Sequence, residues 1–306
     1  MIGVIFVKLD FDSIIIGAGV SGMTASIYLK RAGIKFLLLE QNYPGGQLNR
    51  ADIVNNYPGI LSIDGPSLVM NMVEQLNKLE IDISYEKVLE VNDLGIYKEV
   101  ITNKNTYSTK TILLATGRIP RELGLENEKN FIGKGISWCA SCDGNFYKDK
   151  DVAVVGGGNT AISDALYLSK ICNKVYIIHR STNFRADNIL LESAKTKKNI
   201  EFITNCNVIS LISTEDKLEG IKLDNGQVLE ISGLFEAIGS TPNIDYIKNV
   251  ELKNDKSYII VDENMKTSIN GIFAAGDAVK KELYQIVTAT AEGAKAADAI
   301  VKYISL

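Results

Sequence analysis

The chain of 306 residues is poor in histidine: it has one, His179. No site can then draw on two, which excludes histidine-rich metal centres and a His–His acid/base pair. Basic charge is not in excess either. There are 33 Lys+Arg against 37 Asp+Glu, a net charge of −4, so nothing in the charge supplies a phosphate-binding surface for nucleic acid. Long apolar runs are absent: no window approaches the ~18 apolar residues needed to span a bilayer. The start, MIGVIFVKLDFD, holds Lys8, Asp10 and Asp12 and lacks a basic leader region. Its apolar run, Ile2 to Val7, is too short for a secretory core. The chain is read as soluble and cytoplasmic, with neither membrane nor nucleic acid as a partner. Cysteine is scarce, with four residues, and in a reducing compartment these do not imply a structural disulfide framework. What is plentiful is apolar side chain, 46% of the total. At this length that excludes intrinsic disorder and leaves room for two domains.

Glycine punctuates the chain twice in the same way. Ser13–Ile16 reads as a short strand, followed by Gly17, Ala18, Gly19, Val20, Ser21 and Gly22, a helix to about Ala32, and a strand Phe36–Leu39 ending at Glu40. Val152–Val155 reads as another strand, followed by Gly156, Gly157, Gly158, Asn159, Thr160 and Ala161, a helix to about Ser169, and a strand Val175–Ile178 ending at His179 and Arg180. From 17 to 40 and from 156 to 179 the offset is 23 in both. The chain therefore holds two strand–helix–strand dinucleotide-binding units in register. The first glycine permits the tight turn, the second lets backbone approach a pyrophosphate, and the third position (Gly22 or Ala161) lets the helix pack on the strand. The diphosphate sits on the helix N-terminus.

The residue closing each unit tells the sites apart. Glu40 can accept hydrogen bonds from a ribose 2′-hydroxyl and would repel a 2′-phosphate, which suits FAD or NAD. His179, Arg180 and Arg185 are cationic or can become so, which favours a 2′-phosphate and hence NADP; the competing reading is a solvated strand end. Between and after the loops lie strand-like stretches at 81–85, 90–92, 99–103, 106–108 and 111–117, then at 201–204, 208–212, 219–223, 227–231 and 234–239. TILLATG and LFEAIG are matching apolar strands that end in glycine. GIFAAGDA leads into a small-residue helix from about Gln285 to Tyr303.

Cys139 and Cys142 form a C-x-x-C followed by Asp143 and Gly144. Such a ring is small and can switch between dithiol and disulfide with little backbone change. Zinc would need a second close pair or two histidines, and the chain has neither, so no metal site is expected. Asp143 is placed either to give a proton to a leaving thiolate or simply to form the turn before Gly144. Cys172 and Cys206 read as packing residues.

With these residues in view, the chain resembles the low-molecular-weight bacterial thioredoxin reductases over essentially its whole length. The resemblance is carried by IIIGAGVSGMTASIYLKRAG, PGGQL, NNYPG, ILLATG, WCASCDG, VAVVGGGNTA, HRSTNFRA, GIFAAGDA and YQIVTATAEGAKAA, in that order. It implies an α/β fold of two Rossmann-like domains, an FAD domain interrupted by an inserted NAD(P)H domain. The expected boundaries are 1–117 and 241–306 for FAD and 118–240 for the nucleotide and the cysteine pair. It implies FAD contacts from Gly17, Gly19, Gly22, Glu40, Gly46, Gln47, Thr116, Gly117, Gly276, Asp277, Gln285 and Ile286. Asn56 either joins them or serves only as a turn residue before Tyr57-Pro58. NADPH falls to Gly156, Gly158, Asn159, Thr160, His179, Arg180 and Arg185.

The reaction implied passes electrons from NADPH through FAD and a Cys139–Cys142 disulfide to thioredoxin or a similar protein, in a homodimer. Cys142 faces the flavin, Cys139 attacks the partner's disulfide and Asp143 serves as the acid. Three departures stand out: Ser181 replaces the second arginine after His179, Tyr284-Gln285 replaces Arg-Gln, and Val20-Ser21 replaces Pro-Ala. Ser181 leaves NADH or reduced ferredoxin open as donors. A flavin-binding sensor without turnover is the non-enzyme alternative. The longer glutathione and lipoamide reductases place a wider cysteine pair in the FAD domain and add a histidine-bearing dimerisation domain, so they fit less well. Ferredoxin–NADP reductases of this fold lack the C-x-x-C. Because the C-x-x-C shares a domain with the second loop, both must reach one flavin held by the other domain. The layout therefore implies a domain rotation hinged near Gly117–Arg118 and Ser240–Thr241.

Overall fold

The computed structural model describes residues 8–51, 53–215, 217–242, 244–248 and 250–305. The reading of Ile2 to Val7 lies outside the described residues. The chain divides into two units, Met1–Ile119 with Thr241–Leu306, and Pro120–Ser240.

The first unit opens with β1 (Phe11–Ile16), α1 (Val20–Arg31) and β2 (Phe36–Glu40). β1 is buried on both faces at Ser13–Ile16, as its continuous apolar run requires of a central parallel strand. α2 (Gly65–Lys78) follows, capped by Asp64, whose carboxylate accepts the Ser67 N–H at 2.8 Å. Then come β3 (Ile83–Tyr85), β4 (Val88–Asp93), β5 (Lys98–Thr102) and β6 (Thr106–Leu114). The sheet runs β3-β2-β1-β6-β5-β4.

Here the structure corrects the sequence reading. The stretches 106–108 and 111–117 are not two strands but one, ending at Leu114. Thr106–Thr109 pairs antiparallel with β5, while Thr109–Leu114 runs parallel to β1. One strand thus crosses two environments, half-exposed along the meander and fully buried at the core, and exposed Lys110 marks the seam.

A short β7 (Arg118–Pro120) leads into the second unit. It contains β8 (Ile136–Ser137), the one-turn α3 (Ala140–Asp143), β9 (Asp151–Val155), α4 (Asn159–Leu168), β10 (Lys174–His179) and α5 (Asn188–Lys195). β11 (Ile200–Thr204), β12 (Val208–Ser213), β13 (Leu218–Leu223), β14 (Val228–Glu230) and β15 (Gly233–Glu236) complete it. Its sheet has the order β11-β10-β9-β15-β8, and β12-β13-β14 form a separate antiparallel meander. α5 has no counterpart in the sequence reading.

After β16 (Ser240–Pro242), β17 (Asn254–Asp255) and β18 (Tyr258–Ile259), the chain adds β19 (Ile272–Ala274) parallel to β6. It ends in α6 (Ile286–Ile304), whose N-terminus carries a reciprocal box between Gln285 and Thr288. α6 packs on α1 through small buried residues, among them Ala289, Ala296 and Ala297. In each unit the glycine loop leaves the first strand where its neighbours lead in opposite directions, β2 and β6 around β1, β10 and β15 around β9. That is the crevice at which open α/β sheets take ligands.

Candidate functional site

In the first loop, a Cβ on Gly22 would lie 1.9 Å from the Gly17 carbonyl oxygen, so this glycine serves helix–strand packing. Gly19 is different. A Cβ there would meet nothing within 4 Å, and its backbone (φ −74°, ψ −176°) suits any residue. The protein's own packing does not call for a glycine at this point, and the space is open to a closely approaching ligand. Gly19 is also the N-cap of α1 and offers no side-chain cap, and the first turn holds no acid. The amide N–H groups there are open to an anion.

Beside this loop lies a cleft of about 320 Å³, lined among others by Gly17, Leu39, Glu40, Val88, Thr116 and Tyr246. Glu40 is held by two backbone donors, Ala18 N–H at 2.9 Å and Asn42 N–H at 3.0 Å. A carboxylate has about four acceptor positions, so a diol can still be bound. Thr116 Oγ1 and the Tyr246 hydroxyl are hydrogen-bonded at 3.2 Å, and burial pushes the Tyr246 phenol up to about 12.

The other flavin candidates gather from distant segments of the same unit. Gln47 Nε2 donates to the Arg118 carbonyl at 3.3 Å, and exposed Gly46 precedes it. Asn56 Nδ2 donates to Gln285 Oε1 at 3.0 Å, so its side chain reaches the start of the last helix. Ile286 begins α6. Asp277 follows Gly276 in the turn after β19 and accepts from Arg118 Nη2 at 2.9 Å. The Arg118 guanidinium lies 4.5 Å from the Tyr284 ring centre. The Gly276 N–H donates to Glu292 at 2.8 Å, and Glu292 also binds Lys281 at 2.8 Å. Arg118, read from the sequence only as part of a hinge, and Tyr246 were not among the expected site residues, because their partners are 159 and 130 residues away. Gly117 adjoins Arg118 in a left-handed turn (φ +60°).

The second loop repeats the first. A Cβ on Gly158 would meet nothing within 4 Å, and Gly158 is the uncapped N-cap of α4. At Gly156 a Cβ would lie 2.4 Å from the Ala237 carbonyl oxygen. Asn159 is tied to Asp187 by two hydrogen bonds, 2.9 and 2.7 Å, and Thr160 beside it is exposed. The His179 ring lies where a Gly157 Cβ would be, faces Phe184 at 4.9 Å, and its Nε2 is 3.2 Å from the Asn183 carbonyl oxygen. It supports the loop from beneath, while Arg180 and Arg185 are exposed. Both loops fit a dinucleotide: an open cradle at the second glycine and an uncapped helix start.

Cys139 and Cys142 are disulfide-bonded, with Cα atoms 5.3 Å apart. Cys139 is the N-cap of α3, and its sulfur accepts the Cys142 N–H at 3.2 Å. Cys139 is 8% exposed, and Cys142 is the more exposed of the two. Ser137 ties the turn together: its hydroxyl accepts the Cys139 N–H at 3.0 Å and donates to Asp143 Oδ2 at 2.6 Å. On the other side Trp138 Nε1 donates to Glu236 Oε2 at 2.8 Å. Burial pushes the Cys172 thiol up to about 11, and Cys206 is buried, so both stay inert.

Residues 11–293 match the pyridine nucleotide-disulphide oxidoreductase family. The chain belongs to that family. Among its relatives are the thioredoxin reductase of Listeria monocytogenes, 38% identical over 299 residues (96% of this chain, 94% of that protein), and that of Mycoplasma genitalium, 40% identical over 296 residues (94% of each). The crystal structure of Lactococcus lactis thioredoxin reductase in its FR conformation is similar at a TM-score of 0.87 and 36% identity. It covers 97% of this chain and 99% of the other. This oxidoreductase family thus accounts for two glycine loops and a cysteine pair on one chain.

Proposed function

We propose that this chain is a thioredoxin reductase, with FAD on the first glycine loop, NADPH on the second, and Cys139–Cys142 as its redox disulfide. The observation that carries the reading is the disulfide at the head of α3, in the same unit as an uncapped glycine loop. Bound flavin supplies two-electron transfer between the nicotinamide and the disulfide. The chain's residues do the rest. Gly19 and Gly158 would admit the two diphosphates, Glu40 would hold a ribose, and Asp277, fixed by Arg118, would hold part of the flavin's chain. Arg180 and Arg185 offer cations to a 2′-phosphate, whereas the Ser181 hydroxyl is engaged by the Asn183 N–H at 3.1 Å.

Once reduced, Cys139 thiolate attacks the disulfide of thioredoxin, forming a mixed disulfide and expelling one partner thiolate. Asp143, held by Ser137, is placed to pass a proton to that leaving thiolate. Cys142 then attacks Cys139, restores the intramolecular disulfide and releases the second partner thiol. The active form is a dimer of this chain. The reading also carries a rotation of the two units about the crossings at Gly117–Arg118 and Ser240–Thr241. It alternately brings the disulfide and the second loop to the flavin.

The test is to assay NADPH oxidation with thioredoxin for the wild type, Cys139→Ser and Cys142→Ser, and to trap adducts. Both variants should keep flavin and lose turnover. Cys142→Ser, once reduced, should accumulate a mixed disulfide with oxidised thioredoxin through Cys139, and Cys139→Ser should not. Turnover retained in either variant overturns the function, and an adduct confined to Cys139→Ser reverses the roles.

A further inference from the structure

Several segments of the first unit meet at one side chain, Arg118, the first residue of β7. Its Nη2 donates to Asp277 Oδ2 at 2.9 Å, in the turn after β19. Its guanidinium lies 4.5 Å from the centre of the Tyr284 ring, just before α6. Its carbonyl accepts from Gln47 Nε2 at 3.3 Å. Tyr284 stands where the reductases this chain resembles carry the arginine of Arg-Gln. A guanidinium still occupies this corner, but it arrives from β7 and packs against the ring that replaced the arginine.

The charges around the turn make Arg118 necessary. Lys281 is committed to Glu292 at 2.8 Å and reaches Asp277 only at 3.8 Å. Glu292 also accepts the Gly276 N–H at 2.8 Å. Arg118 is therefore the cation that balances Asp277. Without it, two half-buried carboxylates would share one ammonium, an environment hostile to further negative charge. Arg118 also holds a donor in reserve. A guanidinium has five N–H groups, and its Nε is buried with no acceptor among the described residues. A buried donor left unmet is costly, so an acceptor from a bound group would complete it.

We propose that Arg118 is the cation of the flavin site: its charge balances Asp277 and favours the reduced cofactor, and its Nε–H is kept for an acceptor of the bound flavin. The inference rests on the reading that the first unit holds FAD. Two-electron-reduced flavin carries a negative charge at neutral pH, so a fixed cation beside it stabilises the reduced form. The Tyr284 ring holds the planar fork in place, and Lys281 lies 5.4 Å from the same ring.

The test reads the flavin and not turnover. It uses Cys139→Ser/Cys142→Ser holoenzyme, in which no disulfide takes electrons, equilibrated anaerobically with a reference dye. Arg118→Met keeps an unbranched stem against Tyr284 and carries no charge. It should lower the ratio of reduced to oxidised flavin at fixed potential about tenfold, the scale of one unbalanced charge in a half-buried site. For a two-electron couple that is about 30 mV. Adding Tyr284→Arg returns a guanidinium from the start of α6 and should restore the ratio to within about threefold. An unchanged ratio in Arg118→Met, or no recovery in the double variant, overturns the role of the charge. Arg118→Lys keeps a cation for Asp277 and has no Nε–H. A residue that merely braced Asp277 would be replaced by lysine without loss. Flavin-stripped Arg118→Lys should instead bind FAD about tenfold more weakly than wild type, and unchanged affinity overturns the role of the donor. The same titration decides if Arg118→Met does not fold or does not hold FAD. A wild type that takes up no FAD overturns the assignment together with the flavin reading. Flavin reduced by NADPH without thioredoxin turnover removes the proposed function and leaves Arg118 in its role.

Discussion

Single glycines in this chain have separable duties. Gly22 is demanded by the protein, since a methyl there would lie 1.9 Å from a backbone oxygen. Gly19 is not demanded by the protein's packing, since a methyl there would point into open space, and under the proposed function it makes room for the flavin's diphosphate. Gly19→Ala should therefore leave the melting temperature of flavin-free protein within about 2 °C of wild type, because a methyl added into open space on unstrained backbone costs only a few tenths of a kcal/mol. The same variant should be purified with most of its flavin absorbance lost. Gly22→Ala should cost upward of about 3 kcal/mol, as overpacking against backbone does. A flavin-replete Gly19→Ala would remove the first loop from the cofactor site. The packing duty of Gly22 was legible in the sequence, because a glycine loop and the acid 23 residues on are local features of one strand–helix–strand unit. The ion pair between Arg118 and Asp277 was not, since only the folded sheet brings those segments together.

Strands β6 and β15 show where pattern reading loses its hold. β6 changes partners along its length, so its alternation and its apolar run look like two elements. β15 carries an acid inside LFEAIG, a visible anomaly whose cause is the register with β8, 98 residues back along the chain from Glu236 to Trp138. That acid also couples the stability of the second unit to pH. Folded Glu236 keeps its proton up to about 8, against an ordinary value of 4.5. Between the two, the folded chain binds one more proton than the unfolded chain. The stability this site allows is thus full below about 4.5 and falls as pH rises toward 8, by at most about 1.4 kcal/mol per pH unit. Denaturant unfolding of the second unit at pH 5, 6.5 and 8 should show this decline in the wild type and a shallower one in Glu236→Gln. Equal slopes would mean that Glu236 ionises normally.

On the scale of the molecule, the two units repeat one plan, a parallel sheet with a glycine loop at its switch point and an antiparallel meander beside it. The repeat was legible because each copy is contiguous around its loop. Only the return of the chain to the first unit through β19 and α6 required tertiary pairing to see. The division of labour has a kinetic consequence. The disulfide and the second loop belong to Pro120–Ser240, and the first loop to the other unit, so under the proposed function one flavin would serve two clients carried on a single body. Turnover would then depend on exchange at the crossings. Each crossing is preceded by a left-handed glycine, Gly117 at φ +60° and Gly239 at φ +100°, with open space where a Cβ would stand. A β-branched residue at both positions removes backbone freedom without a clash, at roughly 1–2 kcal/mol of strain each. Gly239→Val alone, which leaves the proposed Gly117 contact with the flavin untouched, should retain its flavin and lose about tenfold in kcat, equivalent to about 1.4 kcal/mol on the barrier. Stopped-flow reduction by NADPH should slow in parallel with reoxidation by thioredoxin, because both half-reactions draw on the same exchange. Unchanged kcat, or slowing of one half-reaction alone, would place the rate-limiting event inside a unit instead of between the two.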